Sequence, residues 1–150
     1  MSIVKKCLFP VAGYGTRFLP ATKAIPKEML SILTKPLIQY GIEEAMSAGM
    51  TTMAMVTSKY KQVIKNHFEP HSDIEASIQG TAKESLLDEV NHVSQQCEFT
   101  YIEQQEMLGL GHAIYTGKPL IGNEPFAVIL PDDLCTNDGD SVLTQMTKLY

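Results

Sequence analysis

The sequence predicts an α/β fold, a mostly parallel sheet flanked by helices, on three observations. Short apolar runs of strand length alternate with segments of helical periodicity between residues 6 and 68, giving a β-α-β-α order. Parallel strands joined by right-handed helical crossovers are the economical packing of that order. A later run, Phe126 to Leu130 (FAVIL), is apolar at every position, as in a central strand buried on both faces. With 150 residues and 44% hydrophobic composition, the chain is large enough for one domain with a core of its own.

Lys6 to Ala12 (KCLFPVA) is the first predicted strand, and Pro10 within it argues for an edge position or an early strand end. Pro20 and Pro26 disfavour helix in the residues before them, so Phe18 to Pro26 reads as an extended excursion. Pro36 to Ala48 is a predicted helix: Leu37, Ile38, Ile42, Ala45 and Met46 fall near one face, Pro36 suits the first turn and Gly49 the end. Thr52 to Thr57 (TMAMVT) is a short apolar strand. Ser58 then begins a helix in which Tyr60, Val63, Ile64 and Phe68 share a face. Glu69 to Thr81 is polar and turn-rich, and Ala82 to Val93 is an amphipathic helix carrying Leu86, Leu87 and Val90. Phe99 to Glu103 alternates as a strand does, Gly109 marks a turn, and His112 to Thr116 is helical. Ser141 to Tyr150 starts a last helix with Val142, Leu143, Met146 and Leu149 along one face.

Charge is distributed unevenly. The formal net charge is −5, yet through Lys35 six basic residues (Lys5, Lys6, Arg17, Lys23, Lys27 and Lys35) face Glu28 as the sole acid. Positive charge gathered around a glycine turn fits a small anionic ligand better than a nucleic-acid backbone, which calls for a broader basic face. The turn itself is Phe9 to Met29, FPVAGYGTRFLPATKAIPKEM. Gly13 and Gly15 carry no Cβ and accept positive φ, so backbone N–H groups there can approach an anion. Arg17, the only arginine, suits bidentate phosphate contacts, and Lys23 and Lys27 add mobile point charges. A bare Gly-x-Gly is often no more than a tight turn after a strand. The third glycine of the dinucleotide fingerprint is missing, which disfavours a dinucleotide-dependent oxidoreductase, and no Gly-Lys-Ser/Thr closes a Walker loop.

Apolar stretches are broken well before the ~20 residues that a membrane span needs. The start, MSIVKK, leads into a strand and not into a signal sequence, so a cytoplasmic location is expected. Cys7, Cys97 and Cys135 are odd in number and lack a CxxC spacing, and they read as packing residues. His67, His71 and His92 share no metal-ligand spacing and read as surface or core-edge residues. Asp132 and Asp133 end the FAVIL run, where open α/β sheets bind their ligands. An aspartate pair is commonly a turn or a cap, but Mg²⁺ typically takes one or two carboxylates beside substrate phosphates. Neighbours in an extended backbone point to opposite sides, so one ligand is expected, and Asp132 is chosen. Gln104 and Gly109 offer amide hydrogen bonding and close backbone approach, so a nucleobase contact there is possible beside a plain strand end and helix cap.

Gly-x-Gly-Thr-Arg, Leu-Pro and Pro-Lys-Glu-Met, in that order, resemble the signature of the sugar-nucleotide pyrophosphorylases. Gln-x-x-x-x-Gly-Leu-Gly-His-Ala and Val-Ile-Leu-Pro-Asp resemble, more narrowly, the bacterial UTP-glucose-1-phosphate uridylyltransferases, and the ATKAIPKEM, KPLIQY and LLDE segments extend the match. The resemblance runs across essentially the whole chain and implies a Rossmann-like nucleotidyltransferase fold. It implies that Ala12 and Gly13 approach uracil and ribose, that Gly15, Thr16, Arg17 and Lys27 surround the triphosphate, and that Gln104 and Gly109 read the base. It also implies that Asp132 holds Mg²⁺, and that Arg17 and Lys27 act in catalysis. His112 matches the pattern without an assigned role.

The reaction so implied is attack of a glucose 1-phosphate oxygen on the α-phosphorus of UTP, giving UDP-glucose and pyrophosphate. Positioning and charge stabilisation suffice for it, with no protein nucleophile. Members of that family run to roughly twice this length, and their second half supplies most of the sugar pocket and a further metal-binding aspartate. The chain stops inside a predicted helix without the later Glu-Lys-Pro pattern, so residues 1–150 are expected to be the nucleotide-binding half, from a truncated enzyme or a fragment. A non-catalytic uridine-nucleotide-binding module is the alternative. Apolar surface left uncovered in such a half leads to an expectation of self-association, that is, a homo-oligomer.

Overall fold

The computed structural model describes residues 3–150, apart from the side chain of Ser72; the first two residues of the MSIVKK start lie outside the described residues. In chain order the elements are β1 (Lys6–Pro10), β2 (Ser31–Ile32), β3 (Lys35–Pro36), α1 (Leu37–Ser47), β4 (Thr52–Thr57), α2 (Gln62–Phe68) and α3 (Ser72–Ile78). Then follow α4 (Asp88–Gln96), β5 (Glu98–Glu103), α5 (Leu110–Thr116), α6 (Lys118–Ile121), β6 (Phe126–Val128) and α7 (Val142–Leu149). The main sheet is parallel throughout, in the order β5-β4-β1-β6. Strand order reverses between β1 and β6, and a crevice opens at the carboxyl ends of strands at such a switch point. The predicted fold class is the one observed.

The apolar runs of β1 and β4 are buried on both faces because the sheet is covered on both sides. Cys7, Phe9, Met53 and Met55 point into the larger core with Ile38 and Ile42 of α1, Ile64 of α2, Val93 of α4 and Leu143 of α7. Leu8, Ala54 and Val56 point the other way, onto Ala113 of α5 and Ile121 of α6. Gly117, between α5 and α6, lies so close to the sheet that a Cβ there would sit 2.1 Å from Leu8 Cδ1. Only glycine lets that layer approach so near.

Several expectations are corrected. β1 ends early at Pro10, as the proline suggested, but it is an inner strand and not an edge. Val11 N–H bonds Val56 on the β4 side, so by alternation the donor that Pro10 lacks would face the β6 side, past the point where β6 ends. β6 is the reverse case: it is the outermost strand, three residues long, and Phe126 is 40% exposed. Phe18 to Pro26 is not extended. Single 3₁₀ turns at Thr16–Phe18, Ala21–Lys23 and Lys27–Met29 fold it into a compact loop, with extended backbone kept at Leu19, before Pro20. Helix α2 starts at Gln62, so Tyr60 lies outside it and is exposed, as is Val63, whereas Ile64 and Phe68 are buried. The polar Glu69–Thr81 stretch contains α3, capped by the His71 ring, which accepts from Ile74 N–H. The helix expected over Ala82–Val93 is a 3₁₀ turn, Glu84–Leu87, followed by α4, and Leu86 is exposed. On α7 only Leu143 of the four expected apolar residues is buried. Cys7 and Cys97 are buried, but Cys135 is exposed and is not a packing residue. Among the described residues no helix is long and apolar enough to cross a membrane.

Candidate functional site

The loop after β1 opens with Ala12 buried and Gly13 and Thr16 exposed. Gly15 has φ 66, and a Cβ on it would press at 3.2 Å on Lys27 Cβ, so this glycine both makes the turn and lets the Lys27 segment pass beside it. Thr22 Oγ1 donates to the Gly15 carbonyl at 2.7 Å and Phe18 N–H at 3.0 Å, pinning the turn. The N–H groups of Gly13, Tyr14, Gly15 and Thr16 donate to no acceptor among the described residues. Free amides on a turn of this kind form an anion-binding concavity.

Lys27 crosses the crevice. Its Nζ lies 2.8 Å from Asp132 Oδ2, joining the β1 loop to the segment after β6 across 105 positions of sequence. The Arg17 guanidinium stands 3.8 Å from the same oxygen and is 84% exposed, a reach over the crevice mouth. Burial disfavours the Asp132 charge, but the Lys27 hydrogen bond and charge, with Arg17 behind them, hold the carboxyl below its ordinary range. Asp133 is exposed. The six early basic residues are not gathered here as a group. Lys5 bonds the Gly49 carbonyl, Lys6 pairs with Glu124 at 2.7 Å, Lys35 pairs with Glu43 and Glu89, and Lys23 is exposed. Arg17 and Lys27 are the two that reach Asp132.

Next to Lys27, the structure holds a pair that sequence reasoning missed. Glu28 is fully buried and Lys61 is 6% exposed, with Nζ and Oε2 2.6 Å apart. Burial pushes the carboxyl up and the ammonium down, and their mutual attraction opposes both shifts. Glu28 Oε1 has no hydrogen-bond partner among the described residues, which adds to the cost of burying it. The available signals were that Glu28 is the lone acid of a basic segment and that Lys61 follows the carboxyl end of β4.

A cavity of about 260 Å³ opens beside the loop, lined by Ala12, Gly13, Tyr14, Gln104, Gly109 and Leu110 among others. It brings together four residues expected at the base: Ala12 and Gly13 after β1, and Gln104 and Gly109 after β5. Gln104 is buried; its Nε2 donates to His112 Nδ1 at 2.8 Å and lies 3.5 Å from the Gly109 carbonyl. Tyr14, Leu110 and the His112 contact to Gln104 were not foreseen here. No group of three or more His, Cys, Asp or Glu residues that could hold a metal occurs among the described residues. Asp132 alone suits Mg²⁺ only where phosphate oxygens complete the shell, as is usual for that ion.

A family model described as nucleotidyl transferase matches residues 10–149. A UTP--glucose-1-phosphate uridylyltransferase of Pseudomonas aeruginosa is 57% identical over 149 residues, which are 99% of this chain and 53% of that protein. A solved apo UDP-glucose pyrophosphorylase superposes with a TM-score of 0.93 at 59% identity, over 98% of this chain and 54% of that one. A UTP-bound UGPase from Acinetobacter baumannii superposes with a TM-score of 0.91 at 38% identity, over 98% and 52%. The chain spans about half the length of the curated relatives it matches. Since the family match extends from the end of the first strand into the last helix, the chain belongs to the nucleotidyl transferase family.

Proposed function

We propose that residues 1–150 form the nucleotide-binding half of a nucleotidyltransferase domain that transfers uridylyl from UTP to glucose 1-phosphate, giving UDP-glucose and pyrophosphate. The observation that carries this reading is the crevice between β1 and β6, where free loop amides, Lys27 and Asp132 stand beside the Gln104 and Gly109 cavity. In the proposed complex uracil enters that cavity, with Ala12 and Gly13 along the base and ribose. The amides of Gly15 and Thr16, with Arg17 and Lys27, surround the triphosphate. Lys27 would leave Asp132 for a phosphate oxygen, and Asp132 would be the residue that holds Mg²⁺. When bound, Mg²⁺ supplies charge neutralisation on the phosphoryl oxygens. Lys27 and Arg17 stabilise charge on the α-phosphoryl group as the glucose 1-phosphate oxygen attacks and pyrophosphate leaves. No side chain is needed as nucleophile. The similarity to uridylyltransferases, one of them UTP-bound, supports the choice of nucleotide.

A second reading is a uridine-nucleotide-binding module without turnover, which needs only the free loop amides, Lys27 and the Gln104 cavity. Pyrophosphate exchange decides between them. Formation of UTP from UDP-glucose and pyrophosphate, with Mg²⁺, is expected of the transferase, and UTP binding without exchange is expected of the module. Loss of both would end the uridine-nucleotide reading. The reading also places the chain in the cytoplasm and makes it self-associate, since Phe126, Val142, Met146 and Leu149 expose apolar surface around β6 and α7. A monodisperse monomer by light scattering would refute the self-association.

A further inference from the structure

We propose that His112 is a positioning residue: it locks the Gln104 amide with its carbonyl toward the cavity, and so selects uracil over cytosine. This rests on the reading that the cavity takes the base of a uridine nucleotide. The orientation of the amide is fixed by its partners. A backbone carbonyl can only accept, so the amide atom beside the Gly109 oxygen is the nitrogen. The same nitrogen lies 2.8 Å from His112 Nδ1, so that ring atom accepts and the imidazole carries its proton on Nε2. Both acceptors are themselves held. Gly109 has φ 94, a conformation that favours glycine, and aims its carbonyl from the turn before α5. His112 lies in the first turn of α5, which Ala113 and the close approach at Gly117 pin to the sheet. Flipping the amide would set its oxygen against the Gly109 oxygen and would require the His112 proton to move from Nε2 to Nδ1.

With Nε2 so occupied, Oε1 is the amide atom left for the cavity; it has no partner among the described residues and is not sealed from solvent. A uracil ring offers N3–H to such an acceptor, whereas cytosine presents a bare N3 lone pair. Buried groups that a ligand leaves unpaired or opposed are the strongest source of discrimination between similar ligands. His112 does not line the cavity, so it acts on the base through Gln104.

The test is calorimetric titration of the chain with UTP and with CTP, both with Mg²⁺, for the wild type and three substitutions. His112→Phe fills the ring volume without an acceptor, His112→Ala removes both, and His112→Asn offers Oδ1 near the position of Nδ1. The wild type is expected to prefer UTP. The Phe and Ala variants are expected to lose about tenfold of that preference, roughly 1.4 kcal/mol, and the Asn variant to keep it. Equal weakening of both nucleotides, with the ratio unchanged, is what a merely structural role would give and would overturn the proposal. So would a folded Asn variant that behaves like Phe. A wild type that binds UTP and CTP equally would sink this inference and leave uridine-nucleotide binding standing. A wild type that binds neither would remove both.

Discussion

The two ends of the candidate site are built from different interactions. At the end proposed for the triphosphate, the phosphate end below, order depends on charges drawn from distant parts of the chain: Lys61 against Glu28 in the interior, and Lys27 against Asp132 at the crevice. At the end proposed for the base, the base end below, order depends on hydrogen bonds of the Gln104 amide with His112 and Gly109, on a wall that includes Leu110 and Ala113. A buried charge that loses its partner keeps the full cost of leaving water, whereas a neutral group that loses one hydrogen bond loses far less. Damage to the phosphate end should therefore register in stability and in salt-dependent affinity, and damage to the base end in selectivity. The exposed Arg17 is an exception within the charged end, since a pair screened by water contributes little to the fold.

The largest expected effect lies in the interior pair. Lys61→Met strands Glu28 and should destabilise the chain by about 3–5 kcal/mol in urea denaturation, and adding Glu28→Met should recover most of that loss. If Lys61→Met costs no more than Lys23→Met, the contrast between the two ends fails. Next in size is nucleotide affinity. Lys27→Ala should weaken UTP binding about ten- to hundredfold while near-UV circular dichroism stays unchanged. Raising the salt should shrink that effect, and the loss caused by Gln104→Leu should stay constant. A Lys27 effect indifferent to salt would take that residue out of the phosphate end.

A smaller effect, but one with an informative sign, is expected at Asp132. Asp132→Asn removes the competitor for Lys27, so UTP should bind more tightly without Mg²⁺, and addition of Mg²⁺ should no longer help. Weaker binding in both conditions would contradict the exchange of partners. The smallest effect is on acid stability. The Asp132 carboxyl is held below its ordinary value, so its contribution is fully present above about pH 4 and is lost as pH falls through the lowered folded value. The stability difference between wild type and Asp132→Asn should narrow in that acid window, and a difference that persists to lower pH would place its cause elsewhere.

Much of the fold was legible. Thr52–Thr57 appears residue for residue as β4, because an apolar run with polar flanks is buried on both faces wherever it sits in a parallel sheet. Helix α1 follows from its periodicity and from Pro36 and Gly49 at its ends. The misreadings share a cause. Ser58 resembles a helix cap, but Lys61 N–H closes a turn on the Ser58 carbonyl and its side chain enters the core toward Glu28. The seven residues of α3 are too polar and too few for a periodic signal. FAVIL is apolar, yet apolarity carries no information about which strand lies at the edge. In the site, the glycine turn, Gln104, Gly109 and Asp132 were weak signals singly, and they gained weight because their motifs follow one another in the order that resembles the sugar-nucleotide pyrophosphorylases.

By itself the sequence determined where the four strands of the main sheet and helices α1, α2, α5 and α7 lie, and which residues follow the carboxyl ends of those strands. These depend on side-chain period, on prolines and on glycines, that is, on interactions between near neighbours along the chain. Tertiary structure alone decided that β1 and β6 lie side by side, so that Lys27 meets Asp132 from 105 positions away, and that Glu28 meets Lys61 in the interior. Those pairings follow from strand order and from burial, which brings remote charges together and, by excluding water, makes each depend on the other.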